Sequence, residues 1–432
     1  MGFRKVWSTT GVVALTGALL LTLAPTASAD YIRDRQWALS AFAAEDVWTE
    51  SQGAGVTVAV VDSGVDATHP DLTGQVLEGK DFTNGGNAHE DLIGHGTKMA
   101  SIIAAHGHGS GGTSGVMGMA PEAKILPVRT LQTRKDKNLD ETWGPAVRYA
   151  VDQGAKVINL SFGADGGSKT TSDGREAIAY AQAHDVVVVA AAGNEAATAV
   201  IEPAALPGVV SVGAVDEDAN LWTDSNTGKG LALTAPGVEI VGANNTMSNG
   251  YGVSSGTSEA TAYVSAAAAL VRSKYPDLSA GQVINRLIKS ATLKQHKGLE
   301  APDEEYGYGI VRPYSALTMD IPAGSKENPL GQLDEGSSTS GAAEKTDSSQ
   351  AQGDDSFTSK VAVIGGGIAA VVIVAVIVFA VIRSRRNHGG GGPGAGGGLP
   401  PYGAGYPPQY PNQPPHQGYR TSPPQQPPHQ GQ

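Results

Sequence analysis

The chain has 432 residues and not one cysteine. That excludes disulfides, thiolate zinc sites and a cysteine nucleophile. An exported form of it must therefore draw its stability from its core. Charge is sparse as well: Asp, Glu, Lys and Arg make up 17% of the residues, and the net charge is −12 with the acidic groups scattered. No basic stripe follows a phosphate backbone, which argues against a nucleic-acid partner. The acidity is read as solubility. Long apolar runs are also few, and they stand near the two ends of the chain.

The first run is Val12 to Leu23, preceded by Arg4 and Lys5 and followed by Ala-Ser-Ala at 27–29. Basic, apolar and small-residue parts in that order predict a secretory signal peptide over 1–29, cleaved after Ala29. The second is the uncharged stretch 361–382, long enough to span a bilayer as one helix. Arg383, Arg385 and Arg386 follow at once and place the tail in the cytoplasm and the folded part outside. The expected localisation is the cell membrane, by a single pass. Between the runs, 30–51 forms a short polar extension with helical spacing around Trp37, Leu39, Phe42 and Val47. Residues 321–360 are a Gly/Ser/Asp/Glu-rich flexible linker, and 383–432 a disordered Gly/Pro-rich tail.

Residues 52–320 carry the folded domain, long enough for a large core. Gly55 to Val61 is a continuous β-branched run of the kind buried in parallel sheets. Strand patterns recur at 124–129, 157–162, 186–191, 209–215 and 231–234. Helical patterns lie between or after them, at 98–105, 142–153, 175–184, 258–274 and 279–290. That alternation predicts an α/β domain, a parallel sheet with helices on both faces.

Three segments carry chemistry. Asp62 ends the first strand, and active sites of open parallel sheets lie at that edge. His95 stands between two glycines before a helix. Ser258 follows Gly256-Thr257 and opens a small-residue helix, where its backbone N–H is unpaired and the helix dipole favours negative charge. Aspartate, histidine and serine are the parts of an acyl-transfer triad. A serine needs a base to take its proton, and imidazole titrates near neutral pH. Spacing alone leaves open whether the three meet, and each has a plain reading as turn or cap. His69, His89, His106, His108 and His184 are read as turn residues only.

The segments Asp62-Ser63-Gly64-Val65-Asp66 with His69-Pro70-Asp71-Leu72, then Gly94-His95-Gly96-Thr97, then Gly256-Thr257-Ser258, resemble in order the signature segments of subtilisin-like serine proteases. The resemblance runs from about Val56 to Ala316. It implies a subtilisin-like fold in which Asp62 orients, His95 is general base and acid, and Ser258 is the nucleophile. Asn194, in Ala191-Ala192-Gly193-Asn194, matches the oxyanion-hole asparagine. Ser161-Phe162-Gly163 matches the cleft strand that pairs with substrate. After the serine the family usually carries Met, small residues and Pro; here Glu259, Thr261 and Ala262 depart from that. Glu259 is tolerable in a first helical turn, although it alters the potential near His95. No acidic loop demands calcium, so neither metal nor cofactor is expected. The whole layout is similar to the mycosins, membrane-anchored subtilases of type VII secretion. Their resemblance implies that 30–51 wraps the domain instead of inhibiting it. The expected partners are protein or peptide substrates, the membrane through one span, and components of a secretion complex. The expected activity is a membrane-anchored extracellular endopeptidase acting on exported proteins, the alternative being a structural component of that complex.

Overall fold

The computed structural model describes residues 30–83, 86–133, 139–163 and 170–333. The expected leader over 1–29, the run 361–382 and the tail from 383 lie outside them, as does most of the linker. Among the described residues no helix is long and apolar enough to cross a membrane.

The chain from 52 onward builds a parallel sheet around β1 (Thr57–Asp62). The other strands of that sheet are β2 (Lys80–Asp81), β5 (Lys124–Arg129), β6 (Val157–Leu160), β7 (Val187–Ala191), β8 (Val210–Val215) and β9 (Leu233–Pro236). Their order across the sheet is β2-β5-β1-β6-β7-β8-β9, with every pairing parallel. Two antiparallel hairpins stand apart from it: β3 (His106–His108) with β4 (Ser114–Met117), and β10 (Ile240–Ala243) with β11 (Tyr251–Ser254). The hairpins were not expected from the sequence, since their strands are too short for alternation to show.

Successive side chains of a strand point to opposite faces, and β1 shows the consequence. Val58 and Val60 enter one core with α4 (His95–Ala104), α7 (Thr257–Lys274) and α8 (Ala280–Ser290). Ala59 and Val61 enter a second core with α5 (Leu139–Asp152) and α6 (Ser172–Ala183). Helices therefore cover both faces, as the alternation predicted. A strand buried on both sides must be apolar at every position, hence the unbroken run. Each such valine contributes roughly 1.5–2 kcal/mol by burial.

Local signals set several boundaries. Ser279 and Gln282 close a reciprocal capping box, with Ser279 N–H on Gln282 Oε1 at 3.0 Å, and this starts α8 one residue after Ser279. The helix expected from Lys98 starts at His95 instead. Buried Asp91 makes that possible: its Oδ2 accepts from Thr97 N–H at 2.9 Å and from Thr97 Oγ1 at 2.7 Å. A carboxylate at a helix start satisfies orphan donors and suits the dipole.

The extension folds as three short helices, α1 (Asp30–Asp34), α2 (Trp37–Ala41) and α3 (Ala44–Glu50). Polar groups seam it to the domain. The Gln36 amide donates to Met117 O at 2.8 Å and accepts from Met117 N–H at 2.9 Å, as a strand neighbour would. Arg33 Nε donates to Gly115 O, Trp37 Nε1 to Val238 O and Trp48 Nε1 to Met119 O, each at 3.0 Å. Leu39, Phe42 and Val47 are buried in the α7 core, and Phe42 meets Tyr263 edge-on.

Candidate active site

Adjacent parallel strands end together, so the residues after β1, β6 and β7 share one rim. Asp62 is the last residue of β1, Ser161 follows β6, and Asn194 lies just beyond β7. Helix α4 meets that rim at its first residue, His95. The approach is close: a Cβ on Gly96 would fall 2.1 Å from Gly64 O, so a larger residue would push the helix away.

His95 Nδ1 lies 2.8 Å from Asp62 Oδ1 and 2.9 Å from Oδ2. The carboxylate is 1% exposed and the imidazole 23%, a buried anchor with an accessible ring. The nearest backbone donor reinforces Asp62, Ser63 N–H to Oδ1 at 2.7 Å. Ser63 Oγ accepts from Gly96 N–H and donates to Asp91 Oδ1, tying strand end to helix start. Burial by itself lowers the basicity of His95. The charge and hydrogen bond of Asp62, together with the charges of Glu259 and Asp91, oppose that, and the net direction is upward.

Ser258 sits in the first turn of α7 and is largely buried. Its hydroxyl donates to Ser161 O at 3.1 Å, and Ser161 Oγ donates back to Ser258 O at 3.1 Å. Behind this pair, Asn159 Nδ2 donates to Ser161 Oγ and Ser265 Oγ to Asn159 Oδ1, a polar ladder from β6 to α7. Among the described residues no hydrogen bond joins Ser258 to His95, and the Ser258 N–H has no partner. The structure thus brings Asp62 and His95 into contact and puts Ser258 in contact with Ser161.

Asn194 is held by its oxygen. Thr257 N–H donates to Asn194 Oδ1 at 2.9 Å and Thr257 Oγ1 at 2.8 Å. Since a backbone N–H can only donate, the amide orientation is fixed and Nδ2 is left without a protein partner among the described residues. The loop carrying it is clamped by buried Asn226, whose Oδ1 accepts from Glu195 and Ala197 N–H. Gly193 permits that clamp, for at φ +116° a Cβ would lie 2.1 Å from Asn226 Nδ2. Phe162 and Gly163 continue past β6 outside the sheet; the expected strand to Phe162 stops at Leu160. Gly163 faces Ile201, where a Cβ would fall 2.1 Å from Cδ1.

The sequence did not single out Ser63, Asp91, Thr257 or Asn226. All are short polar residues within a few positions of a glycine, where turn and cap roles look alike. Nor did it predict Lys98. A lysine directly before the largely apolar run 99–104 was the available signal, since lysine is seldom fully buried unpaired.

An unpaired helix-start N–H and a pinned amide, next to a hydroxyl and a carboxylate-held imidazole, are the parts needed to stabilise an oxyanion and move a proton. Residues 53–309 match the subtilase family model. A thermophilic serine proteinase from Bacillus sp. (strain AK1) is 38% identical over 272 residues, 63% of this chain and 64% of its own length. The chain thus spans just under two thirds of that relative. Thermitase from Thermoactinomyces vulgaris is 38% identical over 247 residues, 56% of this chain and 84% of its own. Among solved structures, MycP1 with its N-terminal propeptide removed aligns at TM-score 0.58 and 30% identity, over 67% of this chain and 99% of that one. MycP3, a protease from the type VII (ESX-3) secretion system, aligns at TM-score 0.56 and 33% identity, over 66% and 88%. A family match over more than half of its length, on this fold and with these residues at the sheet's rim, means that the chain belongs to the subtilase family of serine proteases.

Proposed function

We propose that the chain is a membrane-anchored extracellular endopeptidase that cleaves exported proteins of a type VII secretion system. In this reading His95 takes the Ser258 hydroxyl proton through Nε2 as Oγ attacks the scissile carbonyl. The hydroxyl first leaves Ser161 O to face the imidazole. Asp62 holds the ring by Nδ1 and stabilises the imidazolium. The carbonyl oxygen becomes an oxyanion, to which Ser258 N–H and Asn194 Nδ2–H donate. His95 then returns the proton to the leaving amine as the C–N bond breaks. Water, deprotonated by the same imidazole, hydrolyses the acyl ester and restores Ser258. Ser161, Phe162 and Gly163 receive the extended substrate backbone beside the nucleophile.

The observation that carries the reading is the grip of Asp62 on His95 Nδ1 by both carboxylate oxygens at the rim where α7 begins. Support for the secretion setting comes from the MycP1 and MycP3 likeness, and for the anchor from the apolar run 361–382 followed by three arginines. The test is labelling of the purified chain by a fluorophosphonate. Wild type is expected to be labelled at Ser258, and Ser258→Ala and His95→Ala to remain unlabelled. A folded wild type that resists the probe while a control subtilase reacts overturns the reading.

A further inference from the structure

Two charges lie inside the protein between the helices that carry His95 and Ser258. Lys98 is one turn after His95 on α4, and Glu259 follows Ser258 on α7. Their side chains are 4% and 3% exposed, with Nζ and Oε1 3.4 Å apart. Ser254 of β11 joins them, accepting from Lys98 Nζ and donating to Glu259 Oε1. Glycines give the pair room: a Cβ on Gly242 would lie 2.7 Å from Lys98 Cγ, and one on Gly256 would lie 2.8 Å from Glu259 Oε2 and 3.7 Å from Asn194 Nδ2. Glu259 Oε2 and Asn194 Nδ2 thus border the same glycine, and an unpaired negative charge in the neighbourhood of an oxyanion donor opposes catalysis.

Stability does not account for this arrangement. A buried ion pair often contributes nothing over apolar residues of the same size, although losing one partner is strongly unfavourable. The two residues come from the two helices whose separation sets the reach of His95 to Ser258. We propose that Lys98 and Glu259 are positioning residues of the proton transfer: they lock α4 to α7, and their opposed charges set the basicity of His95 while shielding the oxyanion from Glu259. This rests on the role of His95 proposed above. The charges acting on His95 are Asp62 from β1, Glu259 from α7 and Asp91 from the segment before α4, and Lys98 of its own helix is paired to Glu259. Burial lowers the basicity of Lys98, and the charge and hydrogen bond of Glu259 oppose that loss.

The signs follow from Coulomb's law. Removing the carboxylate while keeping the ammonium disfavours imidazolium, and removing the ammonium favours it. In Glu259→Gln, which keeps shape and the Ser254 hydrogen bond, the acidic limb of kcat/KM moves down by about one pH unit. In Lys98→Met it moves up by a similar amount, and kcat falls about tenfold or more with KM nearly unchanged. The double variant returns the limb to its wild-type position. Where Lys98→Met fails to fold, Glu259→Gln decides. Limbs that superimpose on wild type, or that move in one direction in both single variants, overturn the proposal. His95→Ala in the same series separates the two readings. If it retains wild-type rates, His95 is not the base; if it is inactive while the other limbs stay fixed, only the Lys98–Glu259 proposal is lost.

Discussion

The domain contains two histidine–aspartate pairs of nearly equal geometry. His95 Nδ1 lies 2.8 Å from Asp62, and His108 Nδ1 lies 2.5 Å from Asp71. In both, the carboxylate is buried and the ring partly exposed. Their surroundings differ. Both oxygens of Asp62 face one imidazole, beside a helix start with a hydroxyl and a free N–H. Asp71 divides its oxygens: one takes His108, the other takes Val116 N–H at 2.8 Å and Tyr251 OH at 3.0 Å. That cluster joins β3, β4 and β11, and Arg33 of the extension fastens onto the same β3–β4 hairpin through Gly112 and Gly115. The contact between imidazole and carboxylate is therefore not what makes a catalytic centre. In the proposed mechanism what the rest of the ring can reach decides, and of these two pairs only His95 stands at the rim that carries the helix-start Ser258 and the Asn194 amide.

The sharpest way to break this comparison is to make one change at both carboxylates. Asparagine at 62 offers His95 Nδ1 an N–H donor, which forces the ring proton onto Nε2, where a base must be empty. Asp62→Asn is expected to lower kcat/KM on a peptide anilide by about 10⁴-fold and to leave the melting temperature almost unchanged. Asp71→Asn is expected to do the reverse. It weakens a buried, three-donor acceptor at about 1–3 kcal/mol, a fall of several degrees in Tm, and leaves kcat/KM within a few-fold. If Asp71→Asn is inactive at an unchanged Tm, the division between the pairs is wrong.

The difference between these pairs was only partly legible beforehand. Asp62 was readable because its strand is apolar at every position and stops at Asp-Ser-Gly. Ser258 was readable because a Gly-Thr-Ser turn opens a run of alanines. The sheet followed from the same buried runs. His69 and His108 read as turn residues in the sequence, yet they line a buried cluster: His69 Nδ1 accepts from Asp71 N–H and its ring meets Tyr251 edge-on. No local pattern announces such a cluster, since members such as Asp71 and Tyr251 are 180 residues apart. Glu259 departs visibly from the family pattern, but its partner Lys98 lies on another helix. Pairing between distant charges is set by how helices pack, and sequence periodicity does not carry that information.

A smaller effect sharpens the contrast through pH. Folding raises the basicity of His95: burial lowers it, and Asp62 with Glu259 and Asp91 together outweigh burial. A base must be neutral, so the acidic limb of kcat/KM is expected above about 6.5, the ordinary imidazole value. Stability runs the other way. A group whose folded pKa is raised contributes fully below its unfolded value and loses that contribution as pH rises through the folded one. Activity therefore grows across the window in which the His95–Asp62 contribution to stability fades. Rate profiles and thermal melts on one set of buffers check both signs. An acidic limb below 6.5 contradicts the assignment of His95 as the base under the field of Asp62.

The smallest effect expected comes from His108→Ala. The ring is 39% exposed, and solvent screening holds the worth of such a pair to about 1 kcal/mol or less, a fall of roughly 2–4 °C in a domain of this size. Asp71 keeps Val116 N–H and Tyr251 OH, so its carboxylate is not orphaned and the β3–β4 loop stays anchored by Arg33. Cleavage is expected to proceed at the wild-type rate, whereas His95→Ala removes it. The two substitutions delete the same chemical group from the same kind of partner. If His108→Ala also abolishes cleavage in a folded protein, the surroundings of the ring do not decide, and the catalytic role of the first pair loses its physical basis.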